Sequence, residues 1–338
     1  MKAVGLYRYL PIEHPESLLD LECDTPVAQG RDLLVEVKAI SVNPVDTKRR
    51  APKDLVETEP TILGWDVAGV VKAAGPEATL FKPGDAVYYA GSIVRQGGNC
   101  EFHLVDERIV GRKPANLSFP EAAALPLTTL TAWEGLFERM AISKSGAHAG
   151  RSLLIIGGAG GVGSIAIQLA KRLARLTVAA TASRPESIEW VRGLGADHVI
   201  DHTQELAPQL AAQGLPEVDY IFCLNDTDRY FPAFARITRP QGRICSIVNL
   251  LKPVDLAPLQ PKSLSFAWEG MFTRSTFQTP DMIAQHDLLD ETAGLIEAGV
   301  LRTTFGTNLG RIDAANVKRA HKMLEDGHAT GKIVLEGF

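Results

Sequence analysis

Residues 153–171 read LLIIGGAGGVGSIAIQLAK, with five glycines in seven positions between an apolar run and a segment of helical spacing. So dense a turn leaves few folds open. The apolar residues through Ile156 read as a strand buried on both faces, and the chain from Ser164 onward reads as a helix. Gly158, Gly160 and Gly163 fit the G-x-G-x-x-G spacing. In this reading Gly158 permits the tight turn, Gly160 lets the backbone approach a pyrophosphate, and Gly163 lets helix and strand pack closely. Gly161 and Val162 complete the turn, and the helix's first N–H groups and its dipole face the anion.

The flanking sequence supplies the context that this motif needs. LTVAATAS, DHVID, VDYIFCLN and GRICSIV read as strands, with RPESIEWVRGLG and TQELAPQLAAQG as helices between them. Strands alternating with helices predict a parallel sheet with right-handed crossovers, a doubly wound α/β unit of the Rossmann type. A unit that binds NAD places a carboxylate near the end of its second strand, for the ribose 2′-hydroxyl. Ser183 and Arg184 stand there instead, and no carboxylate follows until Glu186. A hydroxyl and a planar guanidinium suit a 2′-phosphate, so the expected cofactor is NADPH. Asn225, following VDYIFCL, falls at the carboxyl end of a strand, where such sheets bind ligands.

On either side of this unit the pattern differs. LLVEVKAI, WDVAGVVKAAG and FKPGDAVYYAG are short strands with frequent turns, which predicts a small β-rich domain. Beyond about Lys262, TPDMIAQHDLLDETAGLIEAGV and DAANVKRAHKMLEDG read as helices, the first starting at Asp281, the second capped by Asp313 and Gly327, and KIVLEGF as a closing strand. This last part can complete the first domain, making the α/β unit an insertion.

Bulk properties remove some alternatives. The 338 residues carry a net charge of −5, which gives nucleic acid no electrostatic match. Residues 152–170 are uncharged, close to the length of a membrane span, but their glycines argue for a turn. Arg8, Pro11, Glu13 and Pro15 interrupt the start, so no signal peptide is expected. The four cysteines, Cys23, Cys100, Cys223 and Cys245, form no Cys-x-x-Cys pair. Free thiols without an export signal predict a cytoplasmic protein.

The stretches VEVKAISVNPVDTKRR, LGWDVAGVV, PGDAVYY, AAALPLTTLTAW, GGAGGVGSIAIQLAK, GADHVIDH and GKIVL together resemble the medium-chain dehydrogenase/reductase superfamily. The resemblance covers nearly the whole chain and is strongest to the quinone oxidoreductase branch, among zinc-type alcohol dehydrogenase-like proteins. It implies a GroES-like substrate domain from residues 1–126 and 266–338, a Rossmann NADPH-binding domain from 127–265, and a homodimer. Zinc members bind catalytic metal through a Cys in the segment matching AISVNPVD, a Gly-His-Glu, and a later Cys or Asp. Here Ser41 stands near the first place and Gly64-Trp65-Asp66 replaces Gly-His-Glu. Trp65 cannot ligate, Cys100 and His103 lack a second pair, and no zinc is expected.

Without a Lewis acid, simple ketones lose their main stabiliser, whereas quinones and α,β-unsaturated carbonyls spread the charge through conjugation. The expected function is therefore NADPH-dependent, zinc-independent hydride transfer to a small-molecule quinone or enone. A zinc alcohol dehydrogenase using Asp66, and an NADPH-binding protein with little turnover, are the alternatives. By the resemblance, Asn43 approaches the nicotinamide and substrate oxygen and Thr131 faces the nicotinamide. Phe272 and Arg274 return along the cofactor, and Lys332 reaches it. Trp65, Tyr88 and Tyr89 are candidates for an apolar wall against a flat substrate.

Overall fold

The first strand, β1 (Lys2–Tyr9), is followed by β2 (Leu19–Glu22) and by β3 (Asp32–Ser41), in which Leu33, Val35, Val37 and Ala39 are buried at every second position. That period of two is what a strand with one face on a core requires. Next come α1 (Pro44–Arg50), β4 (Lys53–Ile62), β5 (Val67–Ala74), β6 (Ala86–Tyr89), β7 (Phe102–Asp106) and β8 (Val110–Arg112). Two helices close this part, α2 (Phe119–Ala123) and α3 (Pro126–Trp133). The chain then turns to alternation: β9 (Ser152–Ile156), α4 (Gly161–Arg172), β10 (Thr177–Thr181), α5 (Pro185–Leu194), β11 (His198–Ile200), α6 (Leu206–Ala212), β12 (Val218–Cys223), α7 (Thr227–Ile237), β13 (Thr238–Ser246) and β14 (Ser265–Trp268). The last part holds α8 (Thr273–Phe277), α9 (Ala284–Glu297), β15 (Phe305–Asn308), α10 (Ala314–Glu325) and β16 (Lys332–Glu336). The computed structural model describes residues 1–327 and 329–338.

Two units emerge. One comprises Met1–Leu127 and Phe272–Phe338, the other Thr128–Met271. In the first, β1 lies between β2 and β4 in a three-stranded antiparallel sheet. A second sheet runs β15-β16-β3-β5-β6-β8, with β7 also pairing β3. Val334 of β16 is opposite Ser41, so the end of the chain is hydrogen-bonded to the strand that leads into α1. In the second unit the order is β11-β10-β9-β12-β13-β14, every pair parallel. β9 starts the series at the centre, and the order reverses between β9 and β12. That reversal opens a crevice at the strands' carboxyl ends, the binding position in sheets of this kind.

Some boundaries differ from the sequence reading. α4 begins at Gly161, with Gly160 as N-cap, three residues before Ser164. α9 begins at Ala284 and not at Asp281, because residues 279–283 make turns and Asp281 pairs with Arg274. Among the described residues, no helix is long and apolar enough to cross a membrane.

Candidate functional site

In the α/β unit the site is built around the turn from β9 to α4. Gly157, and not Gly158, carries the left-handed backbone, at φ +93°. Its N–H donates to Thr181 Oγ1 at 2.9 Å, and the Gly158 N–H to Thr181 O at 3.2 Å, so the end of β10 fixes the turn. Gly158 is needed for a different reason: a Cβ there would lie 2.8 Å from the Ala180 Cβ. At Gly163 a Cβ would lie 2.6 Å from the Gly158 carbonyl oxygen and closer still to that of Gly157, so the start of α4 lies directly against the turn, where helix-to-strand packing was expected. A Cβ on Gly160 would meet only Gly157 O, at 3.6 Å.

No side chain caps α4, whereas α7 and α10 are capped by Asp226 and Asp313. The first N–H groups of a helix have no partner within it. Here they project from Gly161, Val162 and Gly163, beside an exposed Gly160, and are suited to an anion. Ser183 and Arg184 follow β10 and are half-buried. The Arg184 backbone N–H donates to Ser187 Oγ at 3.1 Å, which ties the residue to the start of α5. Asn225 follows β12, is exposed, and lies with its Cβ 3.7 Å from where a Cβ on Gly157 would sit. The structure therefore brings the glycine turn, Ser183, Arg184 and Asn225 to the carboxyl ends of three adjacent strands. Thr131 is buried in α3.

A second cluster forms in the β-rich unit, where β3 turns into α1. Asn43 is the N-cap of α1, and its N–H donates to Asp46 Oδ2 at 2.5 Å. Its Nδ2 donates to Asp66 Oδ2 at 2.8 Å, and its Oδ1 accepts from Lys332 Nζ. Lys332 Nζ also donates to Val42 O at 2.8 Å and pairs with Asp66 Oδ2 at 3.0 Å. Asp66 Oδ1 accepts the Leu127 N–H at 2.7 Å. All four polar side chains are buried. An ammonium has three donors, and all three of Lys332's are engaged inside this unit.

Burial pushes the Asp46 carboxyl up to about 7, although the Asn43 N–H and the Lys332 charge pull it down. Burial also raises Asp66, against the same ammonium. A raised carboxyl keeps a proton in the folded chain that the unfolded chain releases above its ordinary value of 3.8. The sign follows: this group's contribution to stability falls as pH rises from about 4 to about 7. Asp46→Asn is expected to lose less stability over that range than the unaltered chain, the gap growing by up to about 1.4 kcal/mol per pH unit. Denaturant unfolding at pH 5 and pH 7.5 measures it, and identical pH dependence of the two proteins would refute it.

The positions matched to zinc ligands do not fit the metal. Trp65 Nε1 donates to Ser92 O at 3.2 Å, and both Asp66 oxygens are engaged. His103 is held by Tyr89 through Nδ1 at 3.0 Å and by Gln96 O through Nε2 at 2.9 Å, and Cys100 Sγ donates to backbone carbonyls. No group of three His, Cys, Asp or Glu suited to a metal exists among the described residues.

The remaining expected residues lie in the β-rich unit. Tyr88 and Tyr89 are fully buried, their hydroxyls bound to Leu289 O at 2.7 Å and to His103, so they are core and not a pocket wall. They point to opposite faces of β6, as neighbours in a strand must. Trp65 is also buried and meets Phe272 edge-on, with ring centroids 6.2 Å apart. Arg274 lies in α8 and pairs with Asp281 at 2.9 Å. Sequence reasoning missed the Lys332–Asp66 pair, since no spacing links residues 266 positions apart.

A six-stranded parallel sheet in the 3-2-1-4-5-6 order, with a glycine turn at its switch point, defines a dinucleotide-binding oxidoreductase fold. The alcohol dehydrogenase GroES-like domain family matches residues 29–141, and the zinc-binding dehydrogenase family matches residues 194–335. A zinc-type alcohol dehydrogenase-like protein of Staphylococcus aureus (strain Mu50) is 44% identical over 336 residues, covering 99% of both chains. The 2-methylene-furan-3-one reductase of Solanum lycopersicum is 42% identical over 94% of this chain and 75% of its own. A crystal structure from Rhizobium etli CFN 42, which bears the name of a zinc-dependent alcohol dehydrogenase, is 51% identical, with a TM-score of 0.95 over 100% of this chain and 98% of that one. The chain belongs to the medium-chain dehydrogenase/reductase superfamily, with the zinc-type alcohol dehydrogenase-like proteins. It is an oxidoreductase whose fold binds a nicotinamide dinucleotide.

Proposed function

We propose that the protein is an NADPH-dependent, zinc-independent reductase of quinones or α,β-unsaturated carbonyls. The observation that carries this reading is the engagement of Asp66 by Lys332, Asn43 and Leu127, beside a tryptophan that cannot ligate. A site without a Lewis acid favours acceptors whose own conjugation disperses negative charge. The similarity to a 2-methylene-furan-3-one reductase supports it, because that name describes a conjugated carbonyl.

The bound dinucleotide supplies the hydride. The N–H groups at Gly161–Gly163 hold its pyrophosphate, and Ser183 and Arg184 hold the 2′-phosphate. Asn225 borders the turn. Asn43 fixes the β3–α1 corner against which the acceptor is oriented, and Trp65 with Phe272 backs that corner with apolar surface. Water supplies the proton that completes the reduction, to the α-carbon of an enone or to the oxygen of a quinone. Thr128–Met271 is read as the NADPH-binding domain and the remaining unit as the substrate domain. Four free thiols, three of them buried, suit the cytoplasm, and the superfamily resemblance supports a homodimer, measurable by light scattering.

The test is cofactor oxidation by NADPH and NADH in parallel, after chelation, with quinones, enones and simple aldehydes. Turnover of conjugated acceptors with NADPH is the expected result. Aldehyde reduction restored by zinc would overturn it, and tight NADPH binding without turnover would favour a binding protein. Arg184→Ala is expected to cost about 10–100-fold in kcat/KM with NADPH, the worth of a charge-assisted hydrogen bond, while activity with NADH changes little. Equal losses with both cofactors would remove Arg184 from the phosphate site.

A further inference from the structure

We propose that Lys332 is a positioning residue of the reaction: a resident cation that orders the Asn43 corner, beside the Gly64-Trp65-Asp66 stretch that stands where the resemblance expects a zinc-binding Gly-His-Glu. This rests on the reading of function given above. Lys332 opens β16 and is 3% exposed. Its next residue, Ile333, accepts the Val42 N–H at 3.0 Å, so the strand and the ammonium grip the same turn. Through Nζ the charge reaches Val42 O, Asn43 Oδ1 and Asp66 Oδ2, and through Asp66 it reaches the N–H of Leu127. Four stretches distant in sequence, at residues 42–46, 66, 127 and 332–333, thus converge on one positive charge.

A metal at such a junction would neutralise Asp66 and fix the directions of its neighbours. The ammonium does both. It also fixes the Asn43 amide, whose oxygen accepts from Lys332 while its nitrogen donates to Asp66. What it cannot do is polarise a carbonyl, because every donor is engaged and a Lewis acid needs an open position. The arrangement therefore orients an acceptor without activating it, which restricts turnover to substrates activated by their own conjugation.

A buried ion pair can also serve stability alone, and replacing such a pair with neutral groups is often tolerated. Two variants separate these roles. Lys332→Met leaves Asp66 uncompensated and is expected to unfold readily. Lys332→Met combined with Asp66→Asn is neutral and keeps an acceptor for the Leu127 N–H. The double variant is expected to regain most of the melting temperature and to bind NADPH with unchanged affinity. Its kcat on conjugated acceptors falls by about 100-fold, the effect of misplacing a reacting geometry by about 1 Å, while KM changes little. Amide exchange over residues 42–50 becomes faster. A double variant with full kcat and full exchange protection would overturn the proposal. An unaltered protein that turns over no conjugated acceptor would overturn the functional reading instead, and the exchange measurement would still decide whether Lys332 orders the corner.

Discussion

Gly163→Ala is expected to weaken NADPH binding by about 10–100-fold and to lower stability by about 1–3 kcal/mol, the ordinary cost of forcing extra volume into a packed contact. The added methyl would lie within 2.6 Å of the Gly158 carbonyl oxygen, inside van der Waals contact, and backbone has no rotamer by which to yield. α4 must move away from the turn, and its uncapped N–H groups move with it. Gly160→Ala is the matching control. Its methyl meets only Gly157 O, at 3.6 Å, and Gly160 has an ordinary φ of −72°, so folding should be unchanged. If the pyrophosphate approaches the backbone there, the methyl still excludes it and affinity falls without loss of stability. Fluorescence titration with NADPH and a melting curve for each variant test the pair. Full affinity in both would remove the glycine turn from the binding site.

Asp66→Ala is expected to cost about 3–5 kcal/mol, because it leaves the Lys332 ammonium buried without its counter-charge. It also removes the carboxylate that accepts from the Leu127 N–H and the shortest of the Asn43 amide nitrogen's hydrogen bonds. The loss should be much smaller for Asp66→Asn with Lys332→Met, where no isolated charge remains. Denaturant unfolding of the three proteins measures it. A single variant as stable as the unaltered chain would show that the pair is not coupled in the folded state.

The α/β unit was largely legible in the sequence. β9, β10 and β12 are buried almost throughout and read as apolar runs, α5 begins at Pro185 and ends at Gly195, and the glycine spacing needs only local geometry. Even there the roles shifted by one residue. The left-handed turn falls on Gly157, because the strand ends at Ile156 and the chain must reverse at once. Spacing identifies a set of glycines, while backbone dihedrals decide which one makes the turn. Tyr88 and Tyr89 show a different limit. Their aromatic character suits a pocket as well as a core, and only the partners of their hydroxyls, Leu289 O and His103, decide between them.

By itself the sequence determined the alternating fold, the glycine turn between strand and helix, the lack of a carboxylate at the second strand's end, and the replacement of Gly-His-Glu by Gly64-Trp65-Asp66. Only the tertiary structure decided what Asp66 does. A buried carboxylate must be neutralised, paired or metal-bound, and its own neighbours in the chain do not say which. The answer comes from Lys332, which β16 brings beside β3 through antiparallel pairing of residues nearly three hundred positions apart.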